Sequence, residues 1–451
     1  MKKTTGRRFG AILAGLALVG AAACGGDDEG AESTEAPAAS EAPAETEAPA
    51  ATEAPVETEA PAAEGVCQGE SDGVLTIGSV LPETGNLAFL GPPEFAAVEL
   101  AVADINAAGG VLGADVEYVP GDSGDTSTDI ANQTVDAGIA AGVDAFIGAA
   151  SSGVSFTFID KLVENCKIHF SPANTSPDFT DYEDGGLYFR TAPSDVLQGR
   201  VLADLMIEEG VTNAVFMALQ DPYGEGLLKY SSEPYAEQGG EVIDAFTYDP
   251  NQATFDAEVD RVISADPEAL VIIGFAETQQ ILTGLFENGF TPDVKKIYFV
   301  DGNIGNATAE GFEPGSFLGI KGTLPAAEAQ ADFQARLLEI DPELTDYSYA
   351  PEAYDAVIIT ALAAAVAGSD DPGIIATQIS GVTKDGEVCT TFADCMALIE
   401  AGTDIDYDGP SGPQNFSDAG EPTEASFQIL SYDANNDIYG EIPIEYRFAK
   451  I

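Results

Sequence analysis

Two turns rich in hydroxyl groups could bind an anion. The segment GAASS (148–152) follows the apolar run 145–147, and the segment SPANTS (171–176) follows the apolar run 168–170. A buried strand that gives way to such a turn directs free backbone N–H groups towards a negatively charged ligand. If the two runs are neighbouring strands, the turns could together hold one carboxylate. On spacing alone, an ordinary strand-to-helix turn with serine as its N-cap explains GAASS equally well.

Acidic side chains follow two apolar runs further along the chain. Glu277 comes after the run 270–275, and Asp301 comes after the run 297–300. Carboxylates at the ends of neighbouring strands could pair with an ammonium group. For each acid alone, a helix N-cap or a solvated loop is at least as common.

Tyr223 lies in the segment DPYGEG (221–226), after the predicted strand 214–219. We predict a loop here, in which the tyrosine ring lies over a ligand or simply belongs to a turn. Spacing alone does not separate these two interpretations.

Catalysis by a serine nucleophile has little support. The segment GDSGD (121–125) resembles a serine-protease motif, but the only histidine, His169, lies in an apolar run. A packed core histidine is the better interpretation, so a hydrolase that uses Ser123 or Ser152 is the weaker hypothesis. We expect no metal site, because the chain has one histidine and no C-x-x-C motif, and because Glu277 and Asp301 have no closely spaced carboxylate partner. We expect no cofactor either.

The charge balance excludes several classes of partner. The 451 residues include 77 acids and 17 Lys or Arg, which gives a formal net charge of −60. Nucleic acid and anionic lipid surfaces both require clustered basic residues. Solubility in an exported or salt-exposed protein is the simpler explanation of the acidity.

The first 23 residues have the pattern of a secretory signal. Four basic residues precede an apolar segment, which ends in the small residues 21–23. The segment is too short to be interpreted as a membrane span. Cys24 follows directly, as in bacterial lipoprotein signals, in which this cysteine carries the lipid. Ordinary cleavage after the small residues is the alternative, because Ala21 stands where the lipoprotein motif usually has Leu.

The cysteine count favours lipidation. An exported protein with five cysteines leaves one unpaired, and lipid on Cys24 would account for it. The other four allow three connectivities. We favour a short Cys389–Cys395 loop together with a Cys67–Cys166 bond that fixes the start of the chain to the core.

Residues 24–66 are predicted to form a disordered tether. After Cys24 the segment contains only Gly, Asp, Glu, Ala, Ser, Thr, Pro and Val, with a proline at every sixth position from 37 to 61. Such a composition cannot bury a core. A flexible coil of this length spans roughly 35–40 Å, and self-repulsion extends it further.

From Val74 onwards, strand-like runs alternate with helical patterns. Examples are VLTIGSVLP (74–82), followed by a helical pattern from 93, and ALVIIGF (269–275), followed by one from 278. This alternation predicts parallel sheets that are covered by helices on both faces. About 375 residues are too many for one doubly wound sheet, so we predict two such lobes. Ligands of these folds bind beyond the carboxyl ends of the strands.

At the level of combined motifs, residues 75–446 resemble the leucine/isoleucine/valine-binding family of ABC-transporter substrate-binding proteins. The resemblance rests on IGSVLPETGNLAFLG, AVADINAAGGVLGADVEYVPGD, GVDAFIGAASSGVS, FSPANTSP, YFRTAPSD, DPYGEG, YAPEAYDAVIITALAAAVAGSDDP and GPSGPQNFSDAGE. It implies the type I periplasmic-binding-protein fold, with two Rossmann-like lobes joined by a three-strand hinge. Lobe 1 would comprise 74–191 and 325–428, and lobe 2 would comprise 192–324 and 429–451.

The resemblance also implies a site and a function. Ser152 and Thr175 match hydroxyls that hold an amino-acid carboxylate, and Ala173 matches a backbone contact beside them. Tyr223 matches a residue that lines the cleft, and Leu90 falls where the family has a residue that faces the ligand side chain. The second lobe departs from the pattern, so the ammonium would be paired by one of the residues already proposed, Glu277 or Asp301.

The expected protein is therefore a monomeric, non-enzymatic binder of a small solute. It would be a lipoprotein on the outer face of the cytoplasmic membrane and would deliver an amino acid to an ABC permease. Because of the departure in the second lobe, an amide, urea or an aromatic acid remains an alternative ligand. A sensory ligand-binding protein is an alternative role.

Overall fold

The computed structural model describes residues 65–327 and 331–450. The predicted signal segment, Cys24 and nearly all of the predicted tether lie outside the described residues. Two sheets organise the described part, and each is enclosed by helices. We use "lobe 1" for sheet A, a small third sheet and their helices, and "lobe 2" for sheet B and its helices.

Sheet A is parallel and has the strand order β2-β1-β3-β4-β5. Every residue of β1, β3, β4 and β5 is buried, as expected for strands that are covered on both faces. The bounds are β1 Thr76–Val80, β2 Glu117–Val119, β3 Ala145–Gly148, β4 Ile168–Ser171 and β5 Tyr188–Arg190.

Sheet B is mixed, whereas two parallel sheets were predicted. Its order is β15-β14-β10-β9-β8-β6-β7, and β14 runs antiparallel to both β10 and β15. The reason is that β14 follows a return through lobe 1 and β15 then pairs back along it at the edge of the sheet. The bounds are β6 Asn213–Leu219, β7 Glu241–Tyr248, β8 Ala269–Ile273, β9 Lys296–Phe299, β10 Lys321–Pro325, β14 Glu424–Ser431 and β15 Glu445–Lys450.

The third sheet consists of β11 (Glu387–Cys389), β12 (Ile405–Gly409) and β13 (Gly412–Pro413). The helices are α1 Gly91–Ala107, α2 Ile130–Ala140, α3 Ser152–Ser155, α4 Ile159–Glu164, α5 Asp195–Glu208, α6 Pro222–Glu237, α7 Asp256–Ala265, α8 Thr278–Glu287, α9 Ala331–Ile340, α10 Ala350–Ala367, α11 Pro372–Ile379 and α12 Phe392–Glu400. Short 3₁₀ turns occupy Pro177–Phe179 and Asn306–Ala309.

Helix α10 is mostly apolar because it forms the core of lobe 1, and its acids, Glu352 and Asp355, lie in its first two turns. It packs against α1 and α11, and most of its residues are buried. Among the described residues it is the one helix long and apolar enough to cross a membrane, and 78% of it is buried inside the protein. Burial within lobe 1 accounts for this composition.

The segment around Tyr223 is helical, so the predicted loop is wrong. Helix α6 begins at Pro222, and the side chain of Asp221 caps it by accepting a hydrogen bond from the Gly224 N–H at 2.8 Å. Aspartate as N-cap followed by proline at the first helical position is a favoured helix start. Tyr223 therefore lies on the first turn of α6.

The chain crosses between the lobes three times. It leaves sheet A after β5 and enters α5, which packs against α6. It returns between β10 and α9, and it re-enters sheet B with β14. These three crossings form the hinge of the fold.

Both predicted disulfides are present, and both belong to lobe 1. Cys67 is bonded to Cys166, with their Cα atoms 5.9 Å apart, and Cys389 is bonded to Cys395, with their Cα atoms 5.3 Å apart. The first closes a loop of 99 residues and attaches the start of the described chain to the turn before β4.

Candidate ligand-binding site between the lobes

A narrow cavity lies between the two lobes, at the carboxyl ends of their strands; the space free of atoms within it, part of which is open to solvent, is about 250 Å³. Five of the seven predicted ligand-binding residues line it: Leu90, Ser152, Ala173, Tyr223 and Asp301. The other lining residues are Leu87, Ala150, Ser151, Phe275, Gly302 and Tyr349. Thr175 and Glu277 are outside this set.

The GAASS turn joins β3 to α3, and its serines have different tasks. The Ser151 hydroxyl caps α3 by accepting a hydrogen bond from the Val154 N–H at 3.3 Å. The Ser152 hydroxyl accepts from the Ser176 N–H at 3.3 Å and so connects the two turns. The N-cap interpretation therefore holds for Ser151, while Ser152 keeps its own proton for another acceptor.

Internal hydrogen bonds build the second turn. The Ser171 hydroxyl donates to the Ala149 carbonyl at 2.7 Å, and the Asn174 amide donates to the same carbonyl at 2.9 Å. Buried Arg190 donates to the carbonyls of Asn174 and Ser176. These side chains position the turn, and the donor groups named here are already used within it.

Donor groups remain free where the two turns meet. Thr175 is 1% exposed, and its hydroxyl has no hydrogen-bond partner among the described residues. Within the same described ranges, the backbone N–H groups of Ser152 and Thr175 also have no acceptor. A buried donor without a partner costs about 1–3 kcal/mol, so the geometry favours an incoming acceptor such as a carboxylate.

Asp301 supplies a negative charge at the opposite side of the cavity. Its carboxylate accepts three hydrogen bonds of 2.8 Å, from Gln198 Nε2 and from the hydroxyls of Tyr223 and Tyr349. Burial raises the pKa of Asp301, and these three donors oppose that rise. The donors come from α5, α6 and the residue before α10, so both lobes hold this carboxylate.

A second buried acid, Asp195, lies close to Asp301. It begins α5, it is 0% exposed, and neither of its carboxylate oxygens has a hydrogen-bond partner among the described residues. Burial and the charge of Asp301 raise its pKa well above the ordinary value. The Thr175 hydroxyl lies near enough to lower that pKa, but the pair does not reach hydrogen-bond geometry. The Asp195–Asp301 pair therefore has an unsatisfied capacity for a cation.

Sequence reasoning missed Asp195, Gln198 and Tyr349. Asp195 follows the N-cap Ser194 and looks like an ordinary acid in the first turn of a helix, where it is favoured by the helix dipole. Tyr349 precedes α10 in a left-handed conformation with φ of 59°. No local pattern distinguishes either residue from a structural one.

Glu277 lies outside the cavity. Its Oε1 accepts from the Tyr248 hydroxyl at 2.9 Å and from the Phe275 N–H at 3.0 Å. Burial raises its pKa. The structure thus brings Asp301, but not Glu277, to the site that holds Ser152.

Apolar side chains form the walls between the two polar ends. The rings of Tyr223 and Phe275 are stacked, with centroids 5.4 Å apart and planes inclined by 9°. Leu87 and Leu90 approach from the loop before α1. The cavity thus combines a donor-rich end, an acidic end and an apolar wall, which suits a small amphiphilic solute.

Several hydrogen bonds join the lobes around the cavity, among them one from the Asp195 N–H to the Thr175 carbonyl at 2.8 Å. Besides the bond from Tyr349 to Asp301, the Ser176 hydroxyl donates to the Pro222 carbonyl at 3.0 Å. The Ala276 N–H donates to the Asn86 carbonyl at 3.4 Å. The lobes are therefore in contact on more than one side of the site.

His169 is a core residue, as predicted. Its ring lies between Phe158 and Tyr188, with centroids 4.9 and 5.0 Å away, and burial lowers its pKa to about 3. Neither ring nitrogen forms a hydrogen bond within the described part of the chain. An enclosed imidazole that forms no hydrogen bond to Ser123 or Ser152 is not positioned to take a proton from either serine.

The comparison with known families decides the classification. A family model described as periplasmic binding protein matches residues 74–437. The chain belongs to this family. The chain is also similar to individual curated proteins. It is 24% identical to the chemotactic signal transduction system substrate-binding protein BasB of Halobacterium salinarum, over 77% of the chain and 84% of BasB. It is 28% identical to Leu/Ile/Val-binding protein homolog 2 of Brucella abortus, over 69% of the chain and 83% of that protein.

Solved structures confirm the type I periplasmic-binding-protein fold. The branched-chain amino acid transporter substrate-binding protein LivJ of Streptococcus pneumoniae, in complex with isoleucine, has a TM-score of 0.67 and 21% identity, over 83% of this chain and 99% of LivJ. A solute-binding protein of R. palustris in complex with benzoate has a TM-score of 0.64 and 18% identity, over 81% of this chain and 94% of that one. At these identities the likeness shows the fold, which is that of substrate-binding proteins. It does not identify the ligand, which must be argued from the residues of the site.

Proposed function

We propose that this periplasmic binding protein is the solute-binding component of an ABC importer and that its ligand is a small α-amino acid. The observation that carries the proposal is the arrangement of the interlobe cavity. The donors of Ser152 and the carboxyl group of Asp301 line this space, and the free Thr175 hydroxyl and buried Asp195 lie close to each other beside it. A zwitterion satisfies both kinds of group at once.

The binding mode follows from these groups. The ligand carboxylate accepts from the Ser152 and Thr175 hydroxyls and from the free N–H groups beside them, with Ala173 adjacent. The ammonium group faces Asp301 and, behind it, Asp195. Charge-assisted hydrogen bonds of this kind contribute about 1.5–3 kcal/mol each, so a few suffice for micromolar affinity. The ligand side chain contacts Leu90 and the stacked rings of Tyr223 and Phe275.

Closure of the lobes is the step that couples binding to transport. The ligand bridges the two halves, so its binding energy favours the closed arrangement, in which Tyr349 donates to Asp301. The closed form is then the one that delivers its ligand to a permease. Membership of the family implies an extracytoplasmic location, and we propose a lipid on Cys24 with residues 25–66 as the tether.

An aromatic acid is the second candidate ligand. The stacked Tyr223 and Phe275 rings offer a wall for a flat ligand, and a protein of the same fold holds benzoate. Such a ligand would use the donor-rich end and leave the acid pair without a cation. The two candidates therefore differ in whether an ammonium group is required.

A thermal-shift screen separates the candidates. The probes are leucine, isoleucine and valine, the des-amino acid 4-methylpentanoate, leucinamide, benzoate and urea. A ligand at about a hundred times its dissociation constant adds roughly 2.7 kcal/mol to the free energy of unfolding. We expect an α-amino acid to shift the melting temperature and 4-methylpentanoate to shift it far less. Equal shifts by the two would contradict the ammonium assignment, and a response to benzoate alone would favour the aromatic acid.

Co-purification tests the transport role. A permease that associates with the liganded protein supports it, whereas a receptor of a signalling pathway in its place would favour a sensory role. We also propose that the protein has no turnover. A product formed from the bound solute, and lost in Ser152→Ala, would contradict this.

A further inference from the structure

A second cavity lies at the hinge and is bounded by all three crossings between the lobes. Its volume is about 420 Å³. Thr191 and Pro193 come from the first crossing, Pro325 from the second, and the start of β14 from the third. Glu352 of α10 and residues 411–414 complete the wall from lobe 1. It is separate from the interlobe cavity and shares no lining residue with it.

The walls of the hinge cavity offer few free hydrogen-bond donors. Four lining residues are prolines, which have no N–H group: Pro193, Pro325, Pro413 and Pro422. The Thr191 hydroxyl donates to the Glu352 carbonyl at 2.9 Å, and the Ser411 hydroxyl donates to Asp355. No lysine or arginine is among the lining residues.

Two deeply buried acceptors in the same walls have no partner among the described residues. They are Oε2 of Glu352, which is 3% exposed, and Oε1 of Gln414, which is 2% exposed. Burial raises the pKa of Glu352 to about 8, so a cation at this carboxyl group would replace its proton. The neighbouring hydrogen bonds fix the orientation of the Gln414 amide. Because the single Ser411 proton goes to Asp355, the Ser411 oxygen accepts from Gln414 Nε2 at 2.7 Å. The amide oxygen is therefore the atom left without a donor.

We propose that the hinge cavity binds a small monovalent cation, an alkali ion or a primary ammonium, between the side-chain oxygens of Glu352 and Gln414. Unpartnered oxygens in donor-poor walls select a ligand that supplies positive charge or N–H donors. The described residues contain no cluster of three or more His, Cys, Asp or Glu that could hold a metal ion, which disfavours a divalent centre. An occupant touching this wall restrains the crossings that must rearrange when the lobes open.

The test compares salts at constant ionic strength, because the net charge of −60 makes the whole protein sensitive to screening. The melting temperature of the purified protein is measured while choline chloride is replaced by sodium, potassium, ammonium or methylammonium chloride. Tetramethylammonium, which has no N–H donor, is the matched control for methylammonium. We expect a saturable rise in melting temperature with at least one small cation. Comparison of the alkali chlorides with methylammonium chloride shows whether the cavity prefers an alkali ion or a primary ammonium.

Variants locate the effect. Glu352→Gln and Gln414→Leu should each raise the half-saturating cation concentration about tenfold or more. Glu424→Gln is the control, since Glu424 lines the same cavity but its two oxygens already accept from Asn415 and Lys450. It should respond like the wild type. Equal melting temperatures in all salts would overturn the proposal, as would a cation effect that persists unchanged in both variants. If one variant does not fold, the other variant and the salt series on the wild type remain decisive.

Discussion

The two faces of the interlobe cavity are built in opposite ways. On lobe 1, the donor-rich face consists of two local turns, and each turn follows directly from a strand of sheet A. On lobe 2, the acidic face depends on residues of α5 (Asp195 and Gln198), of α6 (Tyr223) and of the turn after β9 (Asp301), and on Tyr349 from the other lobe. The first face is complete within one lobe, whereas the second is complete only when the lobes are together.

Under the proposed binding mode, this difference predicts an order of events. The ligand carboxylate is expected to bind first to lobe 1, because the donors of Ser152 and Thr175 do not depend on closure. The acid that faces the ammonium gains its full set of donors only when Tyr349 meets Asp301. Recognition of the ammonium is therefore coupled to closure, while recognition of the carboxylate precedes it.

The largest effect is expected from Asp301→Asn, which removes the charge but keeps the shape. We expect the affinity for the amino acid to fall by about 2–5 kcal/mol, roughly 30-fold to several thousandfold, as measured by calorimetry. Glu277→Gln is the matched control, since Glu277 hydrogen-bonds to Tyr248 outside the cavity. The reverse result, with binding lost in Glu277→Gln and kept in Asp301→Asn, would move the ammonium site away from the cavity described here.

A smaller effect is expected from Thr175→Val, which replaces an unpartnered hydroxyl with a methyl group. The affinity for the amino acid should weaken by about 1–3 kcal/mol, because one hydrogen bond to the carboxylate is lost. Leucinamide has no carboxylate, so any affinity for it should be unchanged. If the variant binds both compounds as the wild type does, the carboxylate is not held by lobe 1.

The smallest effect is expected from pH, and it should appear only with ligands that carry an ammonium group. Burial raises the pKa of Asp301 and Asp195, so the ligand-free protein retains a proton there as the pH rises above the ordinary range of a carboxyl group. The folded state without ligand therefore gains stability at low pH and loses it as the pH rises through these raised values. An ammonium ligand requires the deprotonated pair, so its affinity should increase with pH.

The expected slope is at most about tenfold in affinity per pH unit for each proton released. Calorimetry in buffers of different ionisation enthalpy measures that proton directly. 4-Methylpentanoate, if it binds, should not gain affinity as the pH rises, since it brings no cation to the Asp195–Asp301 pair and its carboxylate lies close to Asp195. If the affinity of both ligands rises steeply with pH, the titrating group is not the acid pair that faces the ammonium group.

Much of the fold could be predicted because its signals are local. Runs such as 145–147 and 269–273 are buried strands, and helices alternate with them as expected for a doubly wound sheet. The disulfide pairing that was favoured among three possible connectivities is the one observed, and assigning one cysteine to the anchor had reduced the choice to these three. The mixed character of sheet B was not predicted, because the direction of β14 and β15 depends on a long return through lobe 1.

The candidate site was predictable on one face and largely hidden on the other. Ser152 and Thr175 lie in short turns that are rich in hydroxyl groups, a composition that indicates free hydrogen-bond donors. Asp195 and Tyr349 reach the site through tertiary packing and occupy ordinary positions at the starts of helices. Tyr223 was assigned to a loop because Asp, Pro and Gly favour turns, yet the same Asp-Pro pair also starts a helix.

The Cys67–Cys166 bond determines which half of the protein is held. The described chain enters through lobe 1, and this bond fastens its beginning to the turn before β4. With the proposed lipid on Cys24, a pull transmitted along the preceding residues is borne by lobe 1. We then expect lobe 2 to be the half that moves when the lobes open, with the donor-rich face on the half that is held.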